Sequence, residues 1–161
     1  AGLYGTTLGY THAGLFYTIS AVSMIIIRMI SKHFMDTVPA IKTMTGAVAC
    51  GILCCLMLLA APYGEPVFLA SGIFYGLATG ISLPLNQSVA VKNTPPERWG
   101  AANALFLLAN DIGIGFASVI WGVINDSFGF QTSIVCVIVC LIASYASAWI
   151  VYPARDKRWR H

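Results

Sequence analysis

Charge is what this sequence has least of. Asp, Glu, Lys and Arg make up 9% of its 161 residues, against about 25% in an ordinary soluble domain. A soluble domain of this size must cover its surface with polar side chains, and this chain has too few of them. That excludes most soluble enzymes and nucleic-acid binders, and an apolar share of 58% excludes a disordered linker. Metal-site and disulfide patterns are lacking too. Cys50, Cys54, Cys55, Cys136 and Cys140 all fall in apolar runs, no Cys-x-x-Cys pair exists, and His12, His33 and His161 lie far from them. The cysteines read as small apolar residues, and no metal or other cofactor is indicated. No nucleophile motif joins a Ser, His and Asp, so the chain does not read as an enzyme. No basic-then-apolar signal sequence opens it. The start at Ala1, in Gly-rich sequence, suggests a piece of a longer protein.

What is present is five long apolar runs, at roughly 13–30, 41–61, 67–91, 101–124 and 130–152. Each is near the ~20 residues that a helix needs to cross ~30 Å of hydrocarbon. Unpaired backbone cannot face lipid, and the runs lack the short alternation of barrel strands, which leaves helices. The expected fold is an all-α integral membrane protein with five transmembrane helices, followed by a tail at 153–161. Asp36-Thr37-Val38-Pro39, Pro62-Tyr63-Gly64-Glu65-Pro66, the segment 92–98 and Asp126-Ser127-Phe128-Gly129 punctuate the runs. The connections are short, so consecutive helices are expected to be antiparallel neighbours.

Threading five spans puts Arg28, Lys32, Lys42, Lys92, Arg98, Arg155, Lys157, Arg158 and Arg160 on one side, which accounts for every Lys and Arg in the chain. The other side carries Glu65 and Asp126. This asymmetry marks the basic side as cytoplasmic, at a plasma or inner membrane, with the lipid bilayer as the first partner. Trp99, Trp149, Tyr152 and Trp159 sit near that boundary, where an aromatic belt belongs.

The third run is the most informative. Ser71, Tyr75, Thr79, Ser82 and Asn86 are spaced 4, 4, 3 and 4 and share one helical face. A polar stripe in a membrane helix faces protein or water rather than lipid. Gly72, Gly76 and Gly80 form a seam at the spacing that lets another helix approach closely. Pro84 removes the hydrogen bond to the Gly80 carbonyl and is expected to kink the helix. Together these features suggest a cavity-lining helix that moves. The alternative is a tightly packed helix whose hydroxyls bond their own backbone.

The fourth run holds Asp111, the one acid well inside a span. It lies ten residues from Ala101, ~15 Å at helical rise, close to the bilayer midplane. It shares a face with Gly115, Ser118 and Gly122, which predicts helix packing there. No Lys or Arg lies at matching depth, so Asp111 is protonated, hydrated by a cavity, or paired with something outside this chain. It is a proton or substrate site on one reading and a helix-holding hydrogen bond, assisted by Asn110, on the other. Small-residue stripes in the second and fifth runs suggest outer helices. Thr18, Ser20 and Ser23 give the first run a weaker polar signal.

Three segments resemble the C-terminal half of a Major Facilitator Superfamily transporter, from its eighth to its twelfth helix. Gly14-Leu15-Phe16-Tyr17-Thr18-Ile19, with Arg28 and Asp36, looks like the eighth helix and a degenerate copy of the family's cytoplasmic loop motif. Met29 stands where that motif usually has Pro, and Lys32 where it has Gly. Pro95-Pro96-Glu97-Arg98-Trp99-Gly100-Ala101-Ala102 is similar to the loop before the eleventh helix. Asp111-Ile112-Gly113-Ile114-Gly115, with Gly122 and Asp126-Ser127-Phe128-Gly129, resembles the eleventh helix and its exit. The resemblance implies a partial bundle, a missing N-terminal half as partner, and a third run that lines the central cavity. It also implies secondary active transport of a small molecule by alternating access, with a proton as the coupling ion to test. Arg28, Asp36 and Arg98 would make cytoplasmic loop contacts. The rival readings are a non-transporting assembly subunit or scaffold and, further off, an integral-membrane enzyme, which would need more than one ionisable residue at depth.

Overall fold

The computed structural model describes residues 2–92 and 94–156, with side-chain surroundings except at 2–3, 32–37 and 150–156. Among the described residues the chain is all-α. A short helix α1 (Gly2–Thr7) leads into α2 (Leu15–Thr37), α3 (Ala40–Leu59), α4 (Glu65–Lys92) and α5 (Trp99–Asp156). Three stretches are long and apolar enough to cross a membrane: Ala40–Leu59, Glu65–Lys92 and Pro96–Trp149. A fourth apolar stretch, Leu15–Ser31, is shorter. The last long stretch is not one straight rod. Gly129 has φ 81° and ψ 170°, a conformation that side chains with a Cβ rarely adopt, and it divides α5 into 99–128 and 130–156.

Contacts along the helices set their directions. Gly72 of α4 faces Phe16 and Ser20 of α2, Gly76 faces Ser20 and Ser23, and Gly80 faces Met24 and Ile27. Both numbers rise together, so α2 and α4 run parallel. Gly51 of α3 meets Ala78 of α4 and Leu141 of α5. Nearer one end, Met44 and Val48 cluster with Leu85 and Ala148; nearer the other, Cys54, Cys55 and Leu58 cluster with Phe68 and Ile134. In these pairs one number rises as the other falls, so α3 is antiparallel to α4 and to the second part of α5. This departs from the expectation that each helix packs on the next in sequence. The principal neighbour of α2 is α4, with little contact to α3, because the glycine seam offers α2 an approach that no other helix offers.

The C-terminal ends of α2 and α4 and the N-terminal end of α3 therefore share one end of the bundle. Arg28, Lys42, Lys92 and Arg98 are exposed there, as are Trp99 and Trp149. Glu65 marks the opposite end, where the main core lies. Tyr4, Ala13, Phe16, Cys54, Cys55, Leu58, Ala61, Phe68 and Ile134 are buried together. The lead-in to α2 is fastened to this core. The Tyr10 hydroxyl donates to the Ala61 carbonyl, and the His12 N–H donates to Glu65 Oε1 at 3.0 Å. The His12 imidazole Nδ1 lies 3.4 Å from the same oxygen. Tyr4 stacks on Phe130 with ring centroids 4.2 Å apart. Burial, reinforced by Tyr10, pushes its phenol above the ordinary tyrosine range.

The 99–128 part of α5 presents Leu105, Ile114, Phe116, Val119 and Val123 as exposed side chains. In water such a face would aggregate. In a bilayer it faces lipid or further protein.

Candidate functional site

The polar face of α4 runs through the middle of an apolar helix, and the structure divides it. Ser71 is fully buried, and its hydroxyl donates to the Phe68 carbonyl at 2.6 Å. It lies one turn from Phe68, at the level of the main core, so it does not line an open surface of this chain as the stripe suggested. Tyr75 is exposed, and its ring centroid lies 5.9 Å from that of Phe16. Thr79, Ser82 and Asn86 are half-buried. The Thr79 hydroxyl donates to its own helix, to the Tyr75 carbonyl at 2.8 Å with the Gly76 carbonyl at 3.4 Å. A hydroxyl that donates its proton keeps its capacity to accept. Thr79 lies fourteen residues from Glu65 and thirteen from Lys92, so it sits about 20 Å from each end of the helix.

The glycine seam is the reason this face is held in place. A Cβ at Gly76 would run into the Ser20 carbonyl oxygen and come within 2.7 Å of Ser23 Cβ and 3.0 Å of the Met24 N. Gly72 is tight as well, with the Phe16 carbonyl oxygen at 3.0 Å and Ser20 Oγ at 3.1 Å. On the facing side, Ser20 and Ser23 are buried, and the Ser20 hydroxyl donates to the Phe16 carbonyl at 2.6 Å. The serines that gave α2 a faint polar signal act as small residues opposite glycines, which is how membrane helices come close. Helix α4 continues through Pro84 without a break. Among the described residues no buried side-chain nitrogen or oxygen lacks a partner.

The first part of α5 carries the remaining candidates. Asp111 is exposed on the helix flank, and no basic side chain among the described residues pairs with it. Asn110, beside it, is half-buried. Gly115 and Gly122 face open space, with nothing within 4 Å of a Cβ built on either. Among the described residues nothing packs on them. Arg28 and Arg98 are exposed at the same end of the bundle, whereas Asp36 lies outside the residues whose side chains are described.

Reading the sequence alone passes over two residues that the fold brings together. Gln87 Nε2 donates to Asn103 Oδ1, linking α4 to the start of α5. The available signal was a pair of amides flanking a short loop in otherwise apolar sequence. Nothing in their spacing says that they meet.

The chain matches the Major Facilitator Superfamily over residues 3–161. It is also similar to the staphylopine export protein of Staphylococcus aureus, with 26% identity over 159 residues, covering 94% of this chain and 40% of that protein. The chain thus spans about two fifths of the length of this curated relative. No solved structure matches it.

Proposed function

The chain belongs to the Major Facilitator Superfamily, and from that premise we propose that it is the C-terminal part of a secondary active transporter that moves a small molecule by alternating access. The observation that carries this reading is the partly open polar face of α4. Tyr75, Thr79, Ser82 and Asn86 lie along an apolar helix, and this chain leaves them partly uncovered. A helix that only fills space has no need of four hydrogen-bonding side chains on one face, and such a face favours protein or water over lipid. The second helix bundle, supplied by the N-terminal half, would complete the site.

Asp111 is the proposed charge or proton site. It stands ~18 Å along α5 from Trp99 and is unpaired within the described residues, so it is placed to take up a proton or an ionic partner from the other half. The basic end is taken as cytoplasmic, because multi-pass proteins retain Lys and Arg on that side. Arg28, Asp36 and Arg98 would then contact the other half at that end and release it between states. The seam of Gly72, Gly76 and Gly80 fixes α2 to α4, and Pro84 is the proposed hinge. The name of the staphylococcal relative makes export the direction to test first.

One observation favours the rival reading as a non-transporting subunit. The Ser71 and Thr79 hydroxyls donate to their own helix, as they would in a packed scaffold. Flux decides between the two. The full-length protein, reconstituted in vesicles, is screened against small polar solutes with and without a proton gradient. The transporter reading expects gradient-dependent flux that Asp111→Asn removes or uncouples. Normal gradient-dependent flux in that variant overturns the role of Asp111. Absence of flux from a folded, reconstituted protein favours the scaffold.

A further inference from the structure

We infer that Gln87 and Asn103 form a positioning pair, an amide bridge that sets where the Asp111-bearing part of α5 lies against the polar face of α4. Gln87 Nε2–H donates to Asn103 Oδ1 across sixteen residues of chain, and both side chains are half-buried. Gln87 follows Asn86 of the polar face and lies three residues beyond Pro84. Asn103 lies eight residues before Asp111, ~12 Å along the same helix. The bridge therefore joins the proposed hinge region of α4 to the helix that carries the acid.

Two features explain why a polar bridge is needed here. The α2–α4 contact is held by close approach over glycines, but the first part of α5 has no such seam: Gly113, Gly115 and Gly122 all face open space. Its register against α4 must come from something directional. Both amides are half-buried at this end of the bundle, so a bond between them adds a modest, directional preference for one register. The loop between them is tied down as well. Trp99 Nε1–H donates to the Thr94 carbonyl at 3.0 Å, and the Thr94 hydroxyl donates to the Ala90 carbonyl at 3.1 Å. With the loop fixed, rotation or sliding of α5 past α4 has to break the amide bridge. Replacing either amide removes the register without touching the polar face or Asp111. The consequence for activity rests on the transport reading; the position of the helix does not.

The test uses the full-length protein with its native cysteines replaced and spin labels on Ile73→Cys and Ile112→Cys. These positions are exposed on α4 and α5. The distance distribution between the labels is measured in lipid by pulsed electron paramagnetic resonance. Gln87→Leu and Asn103→Leu are expected each to broaden or displace the distribution. The exchanged pair Gln87→Asn with Asn103→Gln, which keeps both amides and the combined side-chain length, is expected to restore it. Size-exclusion profiles establish that each variant is folded. An unchanged distribution in the Leu variants, or an exchanged pair that behaves like them, overturns the proposal. No substrate enters this measurement, so its outcome is separate from that of the flux screen.

Discussion

Substituting Gly76 with Ala adds one methyl group at the point where α2 and α4 are closest. Built on the backbone, that carbon meets the Ser20 carbonyl oxygen, Ser23 Cβ at 2.7 Å and the Met24 N at 3.0 Å. Relaxed carbon–carbon contacts lie near 3.5–4.0 Å, so the two helices must part by about 1 Å at this level. None of the three atoms is the end of a flexible side chain, so no rotamer change relieves the clash and the whole of α2 has to shift. Overpacking of this kind costs about 1–3 kcal/mol. At 1.4 kcal/mol per tenfold, that is roughly a five- to hundredfold fall in the folded-to-unfolded ratio. The opposing gain from helix propensity, Ala over Gly, is at most about 1 kcal/mol. Gly80→Ala should also be costly, because its closest neighbour is the Cγ2 methyl of Ile27, fixed to a β-branched side chain with little rotamer freedom. It should cost less than Gly76→Ala, whose backbone neighbours lie nearer than the Met24 carbonyl oxygen, which is 3.2 Å from a Cβ at Gly80. Gly46→Ala has nothing within 4 Å and should be neutral or slightly stabilising. The assay is thermal loss of the monodisperse peak for the full-length protein in detergent, with Gly76→Ala failing first and Gly46→Ala last. If Gly76→Ala survives as well as Gly46→Ala, the parallel α2–α4 contact is wrong.

Further outcomes follow from the same geometry. Tyr10→Phe removes the hydroxyl bonded to the Ala61 carbonyl and should cost about 1 kcal/mol, read in the same thermal assay; an unchanged transition would mean that the lead-in to α2 is not fastened there. Single cysteines at Thr79, Ser82 and Asn86 should react with a water-soluble thiol reagent far faster than one at Ser71, which is fully buried; equal protection at all four would argue against an aqueous face. Glu65→Gln should change stability little, because the His12 side chain it meets is 64% exposed and surface ion pairs contribute little; a large loss would show that the contact is more than a surface one.

The helices were legible in the sequence because hydrocarbon demands long apolar runs, and Asp126-Ser127-Phe128-Gly129 marked the one break inside α5. The glycine seam was legible as a seam, but not its partner. A sequence shows which face of a helix is small, and only packing shows what approaches it. Ser20 and Ser23 were hard to read for that reason, since a serine opposite glycine counts as small rather than polar. Ser71 shared the spacing of the polar face and still lies in the core, because burial depends on level along the bundle as well as on angle around the helix. Gly115 and Gly122 have packing-type spacing but meet nothing among the described residues. The Gln87–Asn103 bridge joins side chains on two helices, and no periodicity within either helix encodes it.

Alternating access makes a demand on Thr79, which lies midway along α4. In the full-length protein with its other cysteines replaced, Thr79→Cys is exposed in sealed vesicles to a membrane-impermeant thiol reagent added from one face at a time. A transporter that opens to each side in turn predicts labelling from both faces. Labelling from neither face, or from one face only, would contradict it.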